Sequence, residues 1–300
     1  MKKLIVNADD FGFTKAITDA IIDCHSNGIV TSTTLMSNMP FAEYAASKAK
    51  DFPELSVGLH LNLTEGKPLA APDKIDRLVD SEGNFLDKSN QFKNLRSNKK
   101  VKEQVYKEFE AQLLRALDLG VNISHCTGHR RIEKKLVVRK AIKKLYKRYG
   151  VFAVRTRKRL YWTDPKANFY FKLKKTLLNL RRFPSVYARI FNHLIAKKTG
   201  LPLPDRMISP RYLIPCHFDP KEQFIRCFNS LPEGVSELLL HPGYYDEKSM
   251  ESPAFRKTRE FDTQIACDKD IKNCIKECNI ELISFRDLLN NSEKPPHLLS

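Results

Sequence analysis

Long apolar runs are absent from this sequence. No stretch approaches the roughly 20 apolar residues that a membrane-spanning helix requires. The N-terminus is expected to form a first β-strand rather than a signal peptide, because its apolar part is interrupted early by Asn7 and Asp9. No repeat of fixed period is present. With 300 residues and 42% hydrophobic content, the chain can form one α/β barrel or two medium-sized domains.

Cysteines are few and scattered, with seven in the chain and no CxxC pair. An odd number of unpaired thiols suits a reducing compartment, so a cytoplasmic location is expected. Cys274 and Cys278 lie four residues apart on a predicted helix. A zinc–cysteine site is one interpretation of this spacing, and burial on a helix face is the favoured one.

Acidic residues are nearly absent from residues 122–204. This segment has 23 Lys and Arg but only Glu133 and Asp164 as acids, which gives a net charge of +21. The whole chain carries +17, so the other residues together carry −4. The excess of positive charge is therefore confined to one segment, which predicts an anionic partner near one part of the surface.

Short β-branched or apolar runs alternate with helical patterns along most of the chain, and Thr14 is a candidate helix cap. The alternation predicts an α/β fold with a parallel sheet, open or closed into a barrel. The predicted strands are Lys3–Asn7, Val30–Met36, Leu55–Leu61, Val121–His125, Val151–Arg155, Ser236–His241 and Ile280–Ser284. The predicted helices are Thr14–Asn27, Ala42–Lys50, Val101–Leu119, Leu136–Tyr149, helices within Thr258–Cys278, and Phe285–Asn290.

Potential ligands and acid–base groups recur at or just after the predicted strand ends. Asp10, His60, His125 and His241 all occupy such positions. In α/β folds the carboxyl ends of the strands gather the catalytic residues, because the βα loops open there. Carboxylates and histidines together are what a divalent metal and a general base require for hydrolysis.

Each residue also has a purely structural interpretation. The pair Asp9-Asp10 is also typical of a helix N-terminus, and His60 is also compatible with a hydrogen-bonded core position. His125 and His129 would share one face of a helix, but Thr127-Gly128 between them favours a turn. His129 would then be a neighbour of the ligands or a solvated loop residue.

Six segments are informative in combination, namely Asn7–Gly12, Val30–Thr34, Gly58–Gly66, Ser124-His125, Glu237–Gly243 and Cys278–Leu288. Together they resemble the YdjC-like carbohydrate deacetylase family. The resemblance runs from about residue 3 to about residue 288. It implies a distorted, TIM-barrel-like (β/α) barrel and a metal-dependent enzyme that removes acetyl groups from N-acetylated sugars.

The resemblance also implies roles for individual residues. Asp10, His60 and His125 match the metal triad, Asp9 matches the general base, and His241 is the candidate general acid. Substrate-binding roles are assigned to Arg155, Asn62 and His129. The cofactor is one divalent ion, Mg²⁺ or Zn²⁺, with the choice left open. The domain is expected to span residues 1–290 and to be followed by a disordered tail at 291–300.

One motif departs from the family pattern. The family usually has Asp-Ser-His-x-His-x-His where this chain has Ile123–His129, so Ile123 and Thr127 replace an acid and a histidine. The loss of an acid that could orient His125 predicts either a different substrate or a weakened site, since such losses can cost about 10- to 100-fold in affinity or activity.

A basic amphipathic helical insertion is predicted at about residues 165–200, interrupted by Pro184. A lid or a dimer-forming element is the favoured interpretation, because an amphipathic stripe usually faces protein. The alternative is binding to an anionic membrane. Because the basic segment would suit a phosphate-bearing, membrane-held substrate, the function expected is deacetylation of a polyprenyl-phosphate-linked N-acetylhexosamine by an enzyme attached peripherally to the inner membrane face.

Two rival functions stay open at this point. One is deacetylation of soluble chitooligosaccharides, with the insertion acting only as a lid. The other is a non-catalytic barrel that binds nucleic acid or another polyanion. The second ranks lower, because it gives no reason for Asp9, Asp10, His60 and His125 to coincide at strand ends.

Overall fold

A parallel β-sheet forms the centre of the computed structural model, which describes residues 1–95, 98–150, 153–156, 158, 201–208, 220–245 and 253–289. The strands are β1 Lys2–Phe11, β2 Ser32–Leu35, β3 Ser56–Leu61, β4 His125–Gly128, β5 Ala153–Val154, β6 Arg206–Ile208, β7 Gly234–Leu240 and β8 Ile280–Ile283. Their order is β5-β4-β3-β2-β1-β7-β6, and β8 also pairs with β1.

Strand β1 is the central strand of the sheet. Its first half pairs with β8 and its second half with β2, while β7 runs along its other edge. Residues Leu4 to Phe11 are all buried, as expected for a strand covered on both faces. The far edges approach each other, because Val154 N donates to Pro202 O at 2.9 Å and Met207 N donates to Lys158 O at 2.8 Å. This curled sheet confirms the predicted distorted (β/α) barrel class.

Helices pack around the sheet, and their bounds are α1 Lys15–Ser26, α2 Ala42–Lys50, α3 Lys88–Asn94, α4 Lys99–Asp118, α5 Leu136–Tyr149, α6 Pro220–Asn229, α7 Pro253–Cys267 and α8 Lys269–Glu277. Single 3₁₀ turns are formed by Pro72–Lys74 and Arg286–Leu288, and His129–Lys134 is a 3₁₀ segment kinked at Arg130 and Arg131, which have positive φ. The hydroxyl of Thr14 accepts from Ile17 N, which confirms the predicted cap of α1. Within the described residues, every helix is too short or too polar to cross a membrane.

Helix α4 holds the long loop that follows β3 through a buried polar stripe. Gln104, Glu108 and Gln112 are spaced four residues apart and therefore share one helix face. Glu108 accepts from Leu69 N and from Ala70 N, the latter at 2.8 Å. Gln104 accepts from Arg77 N at 2.9 Å, and Gln112 bonds the backbone of Asn62. Three side chains thus satisfy loop backbone groups that burial would otherwise leave without partners.

Two strand boundaries differ from the prediction in a way that matters for the site. Strand β1 continues to Phe11, so Asp9 and Asp10 lie within the strand rather than in a loop. Strand β4 begins at His125 instead of ending there, because Cys126, Thr127 and Gly128 pair with Leu59, His60 and Leu61. Thr127-Gly128 is therefore strand, and His129 becomes the residue just beyond the strand end.

Some predictions concern residues outside the described ranges. The basic insertion at about 165–200 and the tail at 291–300 both lie there, so their predicted roles stay predictions.

Cys274 is buried and its sulfur lies 3.8 Å from that of Cys278. In the described part of the chain, neither cysteine belongs to a group of three potential metal ligands.

Candidate metal centre and active site

A bulge in β1 turns two adjacent carboxylates towards the same site. The register between β1 and β2 shifts between Ala8 and Phe11, and Asp10 has a φ of 74°. Adjacent residues of a regular strand point to opposite faces, but here Asp9 Oδ2 and Asp10 Oδ1 lie 4.0 and 3.3 Å from His60 Nε2. A left-handed conformation is strained for aspartate, and such strain is found mostly at functional sites.

Asp10, His60 and His129 form a compact group of potential metal ligands. One ligand atom from each residue lies within 4.8 Å of the others. His129 Nδ1 is 3.1 Å from Asp10 Oδ1 and 3.3 Å from His60 Nε2. One carboxylate oxygen and two imidazole nitrogens are a donor set that suits a divalent ion, and three ligands leave positions open for water or substrate.

A buried arginine holds the first of these candidate ligands, Asp10. Arg259 on α7 is buried, and its Nη2 donates to Asp10 Oδ2 at 2.6 Å, which leaves Oδ1 facing the two histidines. Burial by itself would raise the pKa of Asp10, but the Arg259 guanidinium together with His129 and His60 outweighs burial and holds this pKa well below its usual range. Asp10 is thus kept as a carboxylate.

His129 lies between two acids. Its Nδ1 faces Asp10, and its Nε2 lies 3.9 Å from Glu65 Oε1. Burial acts to lower the pKa of His129, but the bonds to Asp10 and Glu65 prevail and raise this pKa to about 9. A metal ion would therefore have to displace a proton from His129 to use it as a ligand.

Asp9 lies beside this group and is bound mainly through one of its oxygens. Oδ1 accepts from Arg155 Nη2 at 2.8 Å, from Asn7 Nδ2 at 2.9 Å and from Thr34 Oγ1 at 3.1 Å. Oδ2 accepts from Arg155 Nη1 at 2.7 Å and faces His60 and His241. Burial would raise the pKa of Asp9, but the charge and hydrogen bonds of Arg155, together with His60 and His241, overcome it and keep this pKa far below the ordinary value.

Arg155 is held from its other side by Glu237 on β7. The Arg155 Nε donates to Glu237 Oε1 at 2.6 Å, and the Glu237 side chain is fully buried. Burial raises the pKa of Glu237 to about 7, although the neighbouring Arg155 acts to lower it. Arg155 was predicted to line the substrate pocket, but its five donors are directed largely at Asp9 and Glu237. These contacts hold Asp9 in place, and the predicted contact of Arg155 with substrate stays a prediction.

His241 follows β7 and completes the site. Its Nε2 is 3.9 Å from Asp9 Oδ2, and its Nδ1 is 4.0 Å from Asp262 Oδ2. The backbone N of His241 donates to the same Asp262 oxygen at 2.8 Å. Asp262 and Arg259 are one turn apart on α7, so a single helix supports both His241 and Asp10.

The predicted metal triad needs one correction, because the structure keeps His125 apart from Asp10 and His60. His125 is fully buried at the start of β4, with Nε2 2.9 Å from Asn7 Oδ1 and Nδ1 2.9 Å from Ser124 Oγ. Its ring stacks on Phe285 at 3.8 Å. Burial, assisted by the charge of Arg155, lowers the pKa of His125 well below its usual value. His125 therefore packs in the core, and His129 lies at the third position of the candidate ligand group.

Asn62 also differs from its predicted substrate-binding role. Its Oδ1 accepts from Thr64 N at 2.9 Å and from Glu65 N at 3.1 Å. Its Nδ2 donates to Asn38 Oδ1 at 3.1 Å and to Glu65 O at 2.7 Å. These bonds use both donors and both acceptor sites of the amide, so Asn62 organises the loop that carries Glu65.

The two residues that depart from the family motif, Ile123 and Thr127, have different surroundings in the folded chain. Ile123 packs against the hydrophobic core, and the histidine that an acid there would orient, His125, lies outside the candidate ligand group found among the described residues. Thr127 Oγ1 lies 2.6 Å from His60 Nδ1, the ring nitrogen that faces away from the other two candidate metal ligands. The residue that departs from the motif therefore contacts a candidate ligand.

Four contributors to the site were not among the predicted site residues, although two of them lie in segments that carry the family resemblance. They are Thr34, Glu237, Arg259 and Asp262. Glu237 could have been noticed as an acid inside an otherwise apolar strand, since such a charge must find a partner. Arg259 and Asp262 have no comparable signal, because polar residues one turn apart are common on exposed helix faces.

Comparisons with known proteins agree over nearly the whole chain. Residues 3–277 match the family described as YdjC-like protein. A carbohydrate deacetylase of Thermoanaerobacter pseudethanolicus is 31% identical over 285 residues, covering 95% of this chain and 98% of the relative. A carbohydrate deacetylase of Clostridium beijerinckii is 32% identical over 294 residues, covering 95% and 100%.

A solved structure is also similar. It is a protein of Enterococcus faecalis named for cellobiose-phosphate cleavage, with a TM-score of 0.73 and 26% identity over 96% of this chain and 98% of that one. The sequence match, the curled parallel sheet and the strand-end cluster all lead to one conclusion: this chain belongs to the YdjC-like protein family.

Proposed function

We propose that this protein hydrolyses the acetamide of an N-acetylated amino sugar and releases acetate, with one divalent metal ion as cofactor. The observation that carries the proposal is the placement of Asp9 Oδ2 and His241 Nε2, 3.9 Å apart, beside the group formed by Asp10, His60 and His129. Relatives that align over nearly the whole chain are named carbohydrate deacetylases, which supports a sugar substrate.

Asp10 Oδ1, His60 Nε2 and His129 Nδ1 would hold the ion. When bound, such an ion supplies Lewis acidity towards the amide oxygen and lowers the pKa of water. Two nitrogen donors and one oxygen donor suit Zn²⁺ by ligand preference, and Mg²⁺ is the alternative. Arg259 keeps Asp10 ionised and directs a single oxygen towards the two histidines.

Asp9 would act as the general base through Oδ2. Oδ1 already accepts three hydrogen bonds, whereas Oδ2 accepts one from Arg155 and faces the cluster. A base that takes a proton from water must present an oxygen within hydrogen-bond reach of that water. Arg155, held in turn by Glu237, fixes the orientation of the Asp9 carboxylate.

His241 would protonate the leaving amine. Its Nε2 lies on the same side of the site as Asp9 Oδ2, and its other ring nitrogen faces Asp262. The base and the acid thus lie on neighbouring strand ends, Asp9 on β1 and His241 after β7.

The form of the substrate is the finer part of the proposal. Residues 122–150 contain ten Lys and Arg and one acid, and Lys140, Lys143 and Lys147 are exposed on α5. This basic surface favours a phosphate-bearing, lipid-linked sugar over a soluble chitooligosaccharide, because each basic residue near an anionic leaflet adds about 1 kcal/mol of attraction. Equal sedimentation with anionic and neutral liposomes at low salt would refute membrane attachment.

The central experiment measures acetate release from N-acetylhexosamines, free and linked to polyprenyl phosphate, with added Mg²⁺, Zn²⁺ or chelator. Asp10→Ala should abolish release, and Asp118→Ala, which removes an exposed carboxylate from the end of α4, should leave it intact. Metal-independent release, or full activity of Asp10→Ala, would refute the metal-dependent mechanism. Failure to bind any metal, together with salt-sensitive binding of oligonucleotides, would favour the non-catalytic alternative.

A further inference from the structure

Two threonine hydroxyls lie next to the ring nitrogen of His60 that points away from the candidate metal centre. Thr127 Oγ1 on β4 is 2.6 Å from His60 Nδ1, and Thr34 Oγ1 on β2 is 3.3 Å from the same atom. His60 lies between these strands on β3, and all three side chains are buried. The hydroxyls therefore lie on either side of His60 in one layer of the sheet.

The chemistry of imidazole decides which atom donates and which accepts in these contacts. A neutral imidazole has one N–H and one lone pair, and a metal takes the lone pair. Since His60 Nε2 faces Asp10 and His129, Nδ1 must carry the hydrogen when Nε2 acts as a ligand. That N–H is buried and needs an acceptor, and Thr127 Oγ1 is the nearer of the two.

Thr34 connects the same ring to the candidate base. Its hydroxyl donates to Asp9 Oδ1 at 3.1 Å, so towards His60 it can only accept. Asp9 and His60 are thus joined through one hydroxyl, in addition to the 4.0 Å approach of Asp9 Oδ2 to His60 Nε2.

We propose that Thr127 is the positioning residue that fixes the ring of His60 for a divalent cation, with Thr34 linking that ring to Asp9. The proposal rests on the metal site of the proposed function and deepens it. Partners that hold the second nitrogen of a ligating histidine set its tautomer and orientation. Thr127 supplies this partner from the position where the sequence departs from the expected motif.

Calorimetric titration with Zn²⁺ and Mn²⁺ tests the assignment on the full chain. Thr127→Val keeps the shape of the side chain but removes the acceptor, so cation affinity should fall about 10- to 100-fold. Thr127→Ser retains the hydroxyl and should bind within a few-fold of wild type. Thr33→Val is the matched control, because it removes a buried hydroxyl that donates to Ala8 O instead of contacting His60.

Unchanged affinity in a folded Thr127→Val, or an equal loss in Thr33→Val, would overturn the proposal. If Thr127→Val does not fold, NMR of the Zn²⁺-loaded wild type decides: a His60 Nδ1 proton protected from exchange supports the assignment, and a freely exchanging one refutes it.

The two proposals fail in different ways. If wild type binds a cation and deacetylates sugars while Thr127→Val does both equally well, only the positioning role is lost. If Thr127→Val binds the cation more weakly but wild type releases no acetate from any substrate, the positioning role stands and the proposed function is lost.

Discussion

Arg155 holds Asp9 through both carboxylate oxygens, with Nη1 2.7 Å from Oδ2 and Nη2 2.8 Å from Oδ1. This paired contact is the geometry in which a guanidinium recognises a carboxylate best. It ties β5 to β1 and keeps the candidate base ionised inside a buried site. Glu237 completes the arrangement by holding the remaining Nε of Arg155.

Arg155→Lys is expected to lower kcat/KM about 10- to 100-fold, because a lysine cannot hold both oxygens of Asp9. Metal affinity should stay within a few-fold of wild type, since Arg155 contacts none of the three candidate ligands. Steady-state kinetics and calorimetry check the two expectations. Arg148→Lys on the exposed face of α5 is the matched control, and an equal loss there would contradict the role of Arg155.

The two histidines around β4 should behave oppositely when replaced. His129→Ala removes a member of the cluster and should abolish measurable cation binding. His125→Gln keeps a polar group towards Asn7 and should leave binding largely intact while lowering the free energy of unfolding, because the buried ring stacks on Phe285. Titration with Zn²⁺ and urea denaturation distinguish the two effects. Loss of binding in His125→Gln but not in His129→Ala would restore the triad predicted from the sequence.

Gly58 is expected to tolerate no side chain. A Cβ at this position would lie 2.4 Å from His125 Nδ1 and 2.6 Å from the His125 backbone oxygen. Gly58→Ala should therefore lower the free energy of unfolding by about 1–3 kcal/mol through overpacking. In Gly58→Ala/His125→Ala the backbone oxygen still blocks the added methyl, so the double variant should recover only part of the loss. Thermal melts check both variants, and an unchanged Tm in Gly58→Ala would contradict the packing.

Glu108 should make stability depend on pH. Burial raises its pKa from 4.5 to about 7, so the folded state holds a proton that the unfolded state releases within this window. Stability should thus fall as pH rises from about 4.5 to about 7, with a slope of at most about 1.4 kcal/mol per pH unit from this group.

The variant Glu108→Gln should flatten that slope in urea denaturation measured between pH 5 and pH 8. Glu103→Gln removes an exposed carboxylate from the same helix and should keep the wild-type slope. A slope that is the same in Glu108→Gln and wild type would show that Glu108 does not bind the additional proton.

The fold class and part of the site could be predicted from local patterns. Alternating strands and helices specify an α/β fold, and Asp10, His60 and His241 do lie at the carboxyl ends of strands or just beyond them. The contacts of Asp9 with His60 and His241 also agree with the expected neighbourhood of the base. These features depend on short-range periodicity, which a single sequence displays directly.

The choice between His125 and His129 could not be made in this way. Both lie in the short segment after Gly120, and Thr127-Gly128 is a typical turn sequence. Pairing with β3 makes that dipeptide part of β4 and carries the strand end past His125 to Gly128. A strand boundary is decided by the backbone partners on the next strand, and those partners lie more than sixty residues away in the chain.

The sequence by itself determined the alternation of elements, the burial of β1 and the chemical types gathered at the strand ends, because these follow from local hydrophobic periodicity and residue chemistry. Only the tertiary structure decided which atoms meet. The bulge at Asp10 directs two neighbouring carboxylates into one site, and α7 brings Arg259 to Asp10 across 249 residues of chain. Such contacts depend on how helices pack on the sheet, and no local pattern encodes that geometry.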